Sequence, residues 1–179
     1  MRIIAGALKG RQLESPEWPG LRPTSDRLRE TLFNVLAPRI AGARFLDAYA
    51  GTGAVGIEAL SRGAAHVTFV EQDRRAQRLI EENLARCGVK DRYAIIRAGF
   101  AGTALRAAEP WDILFLDPPY GAAHLSQALE EAAPLVTAGA LLIVEHAKRD
   151  TAPDQVTGLT RLRELRSGDS ALSFYGRHE

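Results

Sequence analysis

Residues 47–56 read Asp47-Ala48-Tyr49-Ala50-Gly51-Thr52-Gly53-Ala54-Val55-Gly56, and they join an apolar, strand-like run to a helical pattern that begins at Ile57. Their glycines have the spacing G-x-G-x-x-G, which lets a chain turn tightly between strand and helix and brings backbone N–H groups close to a ligand. A carboxylate follows at Glu71, 18 residues after Gly53, where it can accept hydrogen bonds from a ribose diol. The pattern therefore predicts an α/β fold with an adenosine-containing ligand; a glycine turn without a ligand is the alternative.

On both sides of this turn, short apolar runs alternate with helical stretches, as in a parallel sheet covered on both faces. The clearest helices are predicted at Arg74–Arg86 and Leu125–Leu135, and the tail predicts an antiparallel hairpin, Leu159–Leu165 with Ala171–Tyr175. The predicted fold class is α/β, a doubly wound, mostly parallel sheet that ends in this hairpin. Its parallel strands are predicted at Phe45–Tyr49, His66–Glu71, Tyr93–Arg97, Ile113–Asp117 and Ala140–Glu145.

The first 44 residues form a segment of different character. Arg2–Ala5 and Gln12–Leu13 flank a glycine among basic residues, which predicts a short β-hairpin. After a Pro/Gly-rich connector, Thr24 or Ser25 can cap a helix that ends before Pro38. We therefore divide the chain into a basic extension, residues 1–44, and a catalytic domain, residues 45–179.

Charge divides at the same place. Met1–Arg44 holds eight Lys and Arg against four acids, a net charge of +4, whereas Phe45–Glu179 holds fifteen against eighteen, a net charge of −3. The basic front indicates an anionic partner. Four of its side chains are candidates for contacts with phosphate groups of such a partner, namely Arg2, Lys9, Arg11 and Arg27.

The composition excludes several classes of protein. With 46% hydrophobic and 25% charged residues, the chain is too apolar for disorder and too charged for a membrane bundle. It lacks the roughly 20 apolar residues of a membrane span and the apolar core of a signal peptide, so a soluble, cytoplasmic protein is predicted. A single cysteine, Cys87, permits no internal disulfide, and four scattered histidines predict no metal site.

Dinucleotides and S-adenosylmethionine (SAM) fit the same glycine turn, so the ligand must be chosen by other residues. Asp47 lies four residues before the first glycine. Its carboxylate would repel a diphosphate but would attract the ammonium group of SAM. Asp47 therefore favours SAM.

The fourth predicted strand ends in Asp117-Pro118-Pro119-Tyr120, at the edge of the sheet where ligands of open α/β folds bind. The prolines fix the backbone, so the Asp117 carboxylate and the Pro118 carbonyl become preorganised acceptors, and Tyr120 offers a ring on which a base can stack. Two such acceptors can orient the exocyclic amino group of a nucleobase for direct in-line attack on the SAM methyl. A strand-terminating turn with Asp117 as a helix cap is the alternative.

With these motifs in place, the chain resembles the bacterial 16S rRNA guanine-N2 methyltransferases, a family of class I SAM-dependent enzymes. The resemblance rests on four blocks of sequence and on a closing Tyr175 after Gly168-Asp169-Ser170, and it extends over essentially the whole chain. The blocks are Arg2–Gly6 with Lys9–Arg11, Arg22–Arg27 with Arg29–Asn34, Asp47–Ala64, and Asp117–Tyr120.

The resemblance implies a role for each matching residue. Asp117, Pro118, Pro119 and Tyr120 would form the catalytic site, and the basic hairpin would contact 16S rRNA. Because a domain this small has little surface for reading sequence, we expect that RNA to be presented within the 30S subunit or a late assembly intermediate, and we take the protein to be a monomer. Arg22 and Thr24 would cover the cofactor edge. The cofactor would be held by Asp47, Tyr49, Gly51, Thr52, Gly53, Glu71, Gln72, Gly99 and Phe100.

At one position the chain departs from the family pattern. Relatives often carry Asp or Asn shortly after the third strand to read the adenine amino group, whereas this chain has Ala98-Gly99-Phe100. Backbone groups and packing of Phe100 would then have to hold the adenine.

Two other functions remain open from the residues alone. One is an amino-methylating enzyme acting on DNA adenine N6 or on another RNA, although 179 residues leave no room for a separate target-recognition domain. The other is a non-catalytic RNA-binding assembly factor, which an intact Asp117–Tyr120 disfavours.

Overall fold

The computed structural model describes residues 1–101, 105 and 110–178. The chain divides into two compact units, residues 1–99 and 100–179. The division proposed from the sequence, between residues 44 and 45, stays a prediction.

The first unit starts with residues 1–13, which we call the basic segment. In it the predicted hairpin is reduced to one antiparallel bridge between Arg2 and Gln12. Its pairing is short because the amides in between bond to another element. The Ile4 N–H donates to both carboxylate oxygens of Glu58, at 3.1 Å each, and the Leu8 N–H donates to Ser61 Oγ at 2.9 Å. The segment is thus anchored to a helix of the same unit, in addition to the backbone hydrogen bonds that pair its two ends.

Helix α1, Asp26–Leu36, follows the connector as predicted. Ser25 caps it by accepting the Leu28 N–H at 3.1 Å, and Asp26 in the first turn complements the helix dipole. Its buried face packs through Phe33, whose ring stacks on Phe45 with centroids 6.3 Å apart. The helix is thereby fixed against the first strand.

Three parallel strands form the sheet of this unit, with β2 between β1 and β3. The strands are β1, Arg44–Ala48; β2, His66–Val70; and β3, Tyr93–Ile96. Two helices connect them, α2, Ala54–Ser61, and α3, Arg74–Arg86. Cys87, the C-cap residue of α3, is buried.

The second unit carries the other five strands. Strand β4, Ile113–Leu116, pairs in parallel with β5, Leu141–Ala147, and helix α4, Ala122–Ala132, connects them. The predicted C-terminal hairpin is confirmed as β7, Leu159–Ser167, with β8, Ser170–Arg177, and β8 pairs antiparallel with β5. A two-residue strand, β6, Gln155–Val156, adds to β7 and was not predicted.

Within the described ranges, no helix combines the length and the apolar character needed to cross a lipid bilayer.

Tyr175 closes the core of the second unit. Its side chain is fully buried, and its hydroxyl donates to the Pro153 carbonyl at 2.7 Å. Burial raises the pKa of Tyr175 to about 12, an effect that Arg161 opposes and that Glu164 and Asp154 reinforce. The hydroxyl therefore stays protonated and keeps donating through the whole range in which proteins are handled.

Changing Tyr175 to Phe should lower the free energy of unfolding by about 1 kcal/mol, because the partly buried Pro153 carbonyl then lacks its donor. Thermal unfolding of the two proteins measures the change. Tyr93→Phe is the matched control, since its ring contact with Phe69, at 6.4 Å between centroids, survives the substitution. Equal losses in the two variants would contradict the role given to the Tyr175 hydroxyl.

Candidate active site

The glycine turn of the first unit is tightly wound. After β1, Tyr49 adopts φ 61°, a left-handed conformation that is uncommon for residues other than glycine and that concentrates at functional loops. Gly53, at φ 80°, is the N-cap of α2, and its N–H donates to the Ala50 carbonyl at 2.8 Å. Thr52 Oγ accepts the Ala54 N–H at 3.2 Å. The turn thus presents the start of α2 beside the end of β1, as the spacing of the glycines predicts.

Asp47 lies at the base of this turn. It is 1% exposed, and its Oδ2 accepts the Gly56 N–H at 2.9 Å. Burial raises the pKa of its carboxyl well above the ordinary value of 3.8; the Gly56 hydrogen bond lowers it in part, and the charge of Glu71 raises it further. A carboxyl group in such surroundings gains most from a cationic ligand, because a positive charge offsets the cost of ionising it.

Glu71 and Gln72 follow β2. The Glu71 carboxylate accepts the Gly51 N–H at 2.8 Å and the Asp73 N–H at 3.0 Å, one bond to each oxygen. These bonds fix the carboxylate beside the glycine turn, and each oxygen retains a lone pair for a ligand hydroxyl. Gln72 is exposed, and it lies so close to Gly99 that a Cβ there would be 2.8 Å from Gln72 Oε1. The structure therefore brings together the predicted ribose and adenine contacts of this unit.

The connector between the basic segment and α1 covers the glycine turn. A Cβ on Gly51 would lie 3.2 Å from Leu21 Cδ1, so Leu21 packs directly on the turn. Next to it, Thr24 is buried and Arg22 is exposed. Both predicted cover residues thus belong to the connector.

Asn83 of α3 contributes to the site although it was not predicted from the sequence. It is fully buried, and its Nδ2 donates to the Thr52 carbonyl at 2.9 Å and to the Glu14 carbonyl at 3.2 Å, while its Oδ1 accepts the Glu14 N–H at 2.7 Å. The signal for it was an amide among the apolar positions Leu79, Ile80 and Leu84 on the buried face of α3. Asn83 thus ties the glycine turn to the start of the connector.

The predicted catalytic motif lies in the second unit, directly after β4. Asp117 is half-buried, Pro118 is buried, and Pro119 is exposed. The hydroxyls of Tyr120 and Ser170 are hydrogen-bonded at 2.9 Å. This bond fixes the Tyr120 ring at the start of β8, so the motif is held at both ends.

A second contact holds the residue after the motif. Gly121, the N-cap of α4, donates its N–H to Asp150 Oδ2 at 3.0 Å. Asp150 lies in the loop after β5, and no local pattern in the sequence marked it. His124 is an exposed residue in the first turn of α4.

The four predicted RNA contacts separate into two places. Arg2, Lys9 and Arg27 line one cavity, whereas Arg11 donates from Nη1 to the Arg86 carbonyl at 3.4 Å, near the end of α3. All four side chains are exposed. The part of the chain that the structure describes holds no group of three or more His, Cys, Asp or Glu residues able to bind a metal ion.

Comparison with known proteins gives consistent results. The family model described as Conserved hypothetical protein 95 matches residues 1–176. Ribosomal RNA small subunit methyltransferase D of Escherichia coli (strain K12) is 37% identical over 179 residues, which are 99% of this chain and 90% of that protein. The protein of the same name from Haemophilus influenzae is 42% identical over 123 residues, 67% of this chain and 64% of that protein.

A solved structure, yhhF of Escherichia coli, is 36% identical to this chain. It superposes with a TM-score of 0.84 and covers 99% of this chain and 97% of its own. The predicted fold class is thereby confirmed.

Proposed function

Because this chain belongs to the family of ribosomal RNA small subunit methyltransferase D, whose family model is described as Conserved hypothetical protein 95, we propose that it methylates the exocyclic N2 amino group of a guanine in 16S rRNA. Membership makes the chain a methyltransferase. The methyl donor we propose is SAM, and the product S-adenosylhomocysteine. The observation that carries the proposal is the Asp117-Pro118-Pro119-Tyr120 motif at the end of β4, held by Ser170.

The residues of the first unit fit SAM. Asp47, a buried carboxyl group with a raised pKa, supplies the charge that an ammonium group requires, and the fixed Glu71 carboxylate can accept hydrogen bonds from a ribose. Tyr49, Thr52 and the glycines of the turn would surround the methionine part. When bound, SAM supplies an electrophilic methyl group on a positively charged sulfur.

The residues of the second unit would hold the acceptor. The Asp117 carboxylate and the Pro118 carbonyl would accept the two N–H bonds of the guanine amino group, which directs the nitrogen lone pair away from the ring and supports the positive charge that develops on it. The Tyr120 ring would stack on the base. A strong general base is not required, because the methylated nitrogen becomes acidic and loses a proton readily.

Transfer of labelled methyl groups from SAM tests the proposal. The substrates are undermethylated 30S subunits, naked 16S rRNA and duplex DNA, followed by nuclease digestion to identify the labelled nucleoside. We expect label in N2-methylguanosine from the ribosomal substrates. Label in N6-methyladenine of the DNA would support the DNA-methylating alternative, and no labelled guanine in any RNA would refute the proposal.

We also propose that the assembled 30S particle is the preferred substrate, because a chain of this size has little surface with which to read an RNA sequence. Initial rates on 30S subunits and on naked 16S rRNA, at equal RNA concentration, compare the two. A faster reaction with naked RNA would contradict this preference.

The raised pKa of Asp47 predicts how SAM binding depends on pH. Below that pKa the carboxyl is neutral in the free protein and cannot attract an ammonium group, so the affinity for SAM should rise as the pH increases through it and binding should release a proton. At neutral pH, Asp47→Asn should weaken SAM binding by about ten-fold, the value of one charge-assisted hydrogen bond.

Isothermal titration calorimetry measures the affinity for SAM and, when it is repeated in buffers of different ionisation enthalpy, the number of protons released on binding. The control is Asp91→Ala, which removes an exposed carboxylate. A pH profile that is the same in Asp47→Asn and in the unchanged protein would assign the titration to another group.

A further inference from the structure

A cavity of about 270 Å³ lies in the first unit, between the basic segment and the first turns of α1. Its walls carry three cations, Arg2, Lys9 and Arg27, and the half-buried apolar side chain of Ile4. The volume lies just below the roughly 300–1,000 Å³ of small-molecule pockets, so it suits one nucleotide rather than a longer ligand.

The cations of this cavity are available to a ligand. Among the residues that the structure describes, no hydrogen bond or ion pair engages the side chains of Arg2, Lys9 or Arg27, and all three are exposed. Three unpaired cations around one cavity attract a phosphate group and repel each other until it arrives.

A fourth cation lies beneath them. The Arg29 side chain is fully buried, and its Nη2 donates to the Arg2 carbonyl at 2.8 Å and to Asp26 Oδ1 at 2.6 Å. Within the described part of the chain, its Nε and Nη1 are buried without a hydrogen-bond partner. Arg29 thus fixes two walls of the cavity and adds a positive charge that Asp26 alone balances.

The basic segment holds its side of the cavity rigidly. The Ile3 N–H donates to the Arg11 carbonyl and the Gly10 N–H donates to the Ile3 carbonyl, both at 2.9 Å, while Glu58 accepts the Ile4 N–H. A preformed wall lowers the entropic cost of binding a ligand.

The carboxylate of Glu30, in the wall of the cavity, selects the base. Asp26 is engaged by Arg29, so Glu30 contributes the carboxylate that is free for a ligand, and no ion pair of Glu30 occurs among the described residues. A carboxylate with two acceptor oxygens matches two adjacent N–H donors. On its Watson–Crick edge guanine presents such a pair, at N1 and N2, whereas adenine and cytosine place an acceptor beside their amino group and uracil has one donor between two carbonyls.

We infer that this cavity binds a second guanine nucleotide of the substrate RNA, one that is not methylated. The phosphate lies among Arg2, Lys9 and Arg27, the base packs on Ile4, and Glu30 accepts its N1 and N2 hydrogens. Unpaired bases that splay out of an RNA loop are recognised in this way. The inference rests on the proposed function, since it takes the RNA substrate from there, and it adds a site separate from the residues of the catalytic motif.

The test follows isoleucine methyl groups by NMR in the full-length protein saturated with S-adenosylhomocysteine. The probes are guanosine monophosphate, uridine monophosphate and inorganic phosphate. We expect the Ile4 methyl signal to shift with guanosine monophosphate, at a Kd about ten-fold below that for uridine monophosphate. Inorganic phosphate should bind more weakly than either nucleotide, and the Ile143 methyl in β5 should not respond.

Variants separate the two parts of the site. Glu30→Gln should bring the Kd for guanosine monophosphate to that for uridine monophosphate, whereas Glu82→Gln, an exposed glutamate of α3, should change neither. Lys9→Ala with Arg27→Ala should weaken both nucleotides equally. Equal binding of both nucleotides and phosphate would overturn the inference, as would an unshifted Ile4 signal.

Methyl transfer to 16S rRNA, measured with the same protein, keeps the two proposals apart. Transfer without any shift of Ile4 would refute the second guanine site alone. A shift of Ile4 without transfer would refute the proposed function and leave the guanine site in place. With both intact, Glu30→Gln should raise the KM for RNA by about ten-fold at unchanged kcat.

Discussion

Changing Asp117 to Ala should lower the kcat of methyl transfer by about 10²- to 10³-fold and leave the Kd for SAM unchanged. The carboxylate would interact with the amino nitrogen as its charge develops, so its loss affects the transition state more than the bound ground state. The motif should keep its shape, because the Tyr120–Ser170 bond and the two prolines remain. Single-turnover rates on 30S subunits, together with calorimetric titration of SAM, measure the two effects separately.

Asp91→Ala is the matched control, because Asp91 is an exposed aspartate outside both motifs. It should retain full activity. If Asp117→Ala methylated guanine at the rate of this control, the mechanism proposed for the motif would be wrong.

Changing Asn83 to Ala should lower the free energy of unfolding by about 3 kcal/mol, which for a chain of this length corresponds to a fall in Tm of about 6–12 °C. The substitution removes the three hydrogen bonds of this buried side chain and leaves the Thr52 carbonyl and both backbone groups of Glu14 without these bonds. It also frees the glycine turn from the connector, so SAM should bind several-fold more weakly. Thermal unfolding with and without SAM measures both effects.

An asparagine on the surface provides the comparison. Asn34 is an exposed residue of α1, and Asn34→Ala should leave Tm and SAM binding close to those of the unchanged protein. Similar Tm values for the two variants would mean that the three hydrogen bonds of Asn83 contribute little to stability.

Elements with strong local patterns were predicted closely from the sequence. The bounds of α3 agree with the prediction, because its apolar positions recur at helical spacing and Asp73 caps it. Strand β5 runs two residues further than predicted, to Ala147, because Ala147 pairs with Ser170 of β8. That extension depends on a partner strand distant in sequence. Helix α4 begins earlier than predicted, at Ala122, because its first residues are small and give no periodic signal.

The strands of the site each end one residue earlier than predicted. Strand β1 ends at Ala48 and β4 at Leu116, so Tyr49 and Asp117 lie just beyond them. At Tyr49 the reason is the positive φ, which is incompatible with a strand. Apolar character predicts where a buried strand runs. It does not predict that the last residue of the run turns towards a ligand and no longer pairs with the neighbouring strand.

Contacts between distant segments could not be predicted. Asn83 bonds to Glu14 across 69 positions, and Asp150 bonds to Gly121 across 29. The cavity that groups Arg2 and Lys9 with Arg27 has the same origin. Motifs formed by residues close in sequence can be predicted from the sequence, whereas sites formed by packing of distant segments can be identified only from the structure.

The way the basic segment is anchored has an evolutionary consequence. Helix α2 holds it through the backbone groups of residues 4–8. The Ser61 hydroxyl makes two of these contacts, since it donates to the Ala5 carbonyl and accepts the Leu8 N–H. At Gly6, with φ 84°, a Cβ would lie 2.0 Å from the Ser61 carbonyl oxygen. Substitutions at Ala5, Ala7 and Leu8 can therefore accumulate between species while Gly6, Glu58 and Ser61 stay fixed, so the sequence of this segment can diverge while its attachment to α2 is kept.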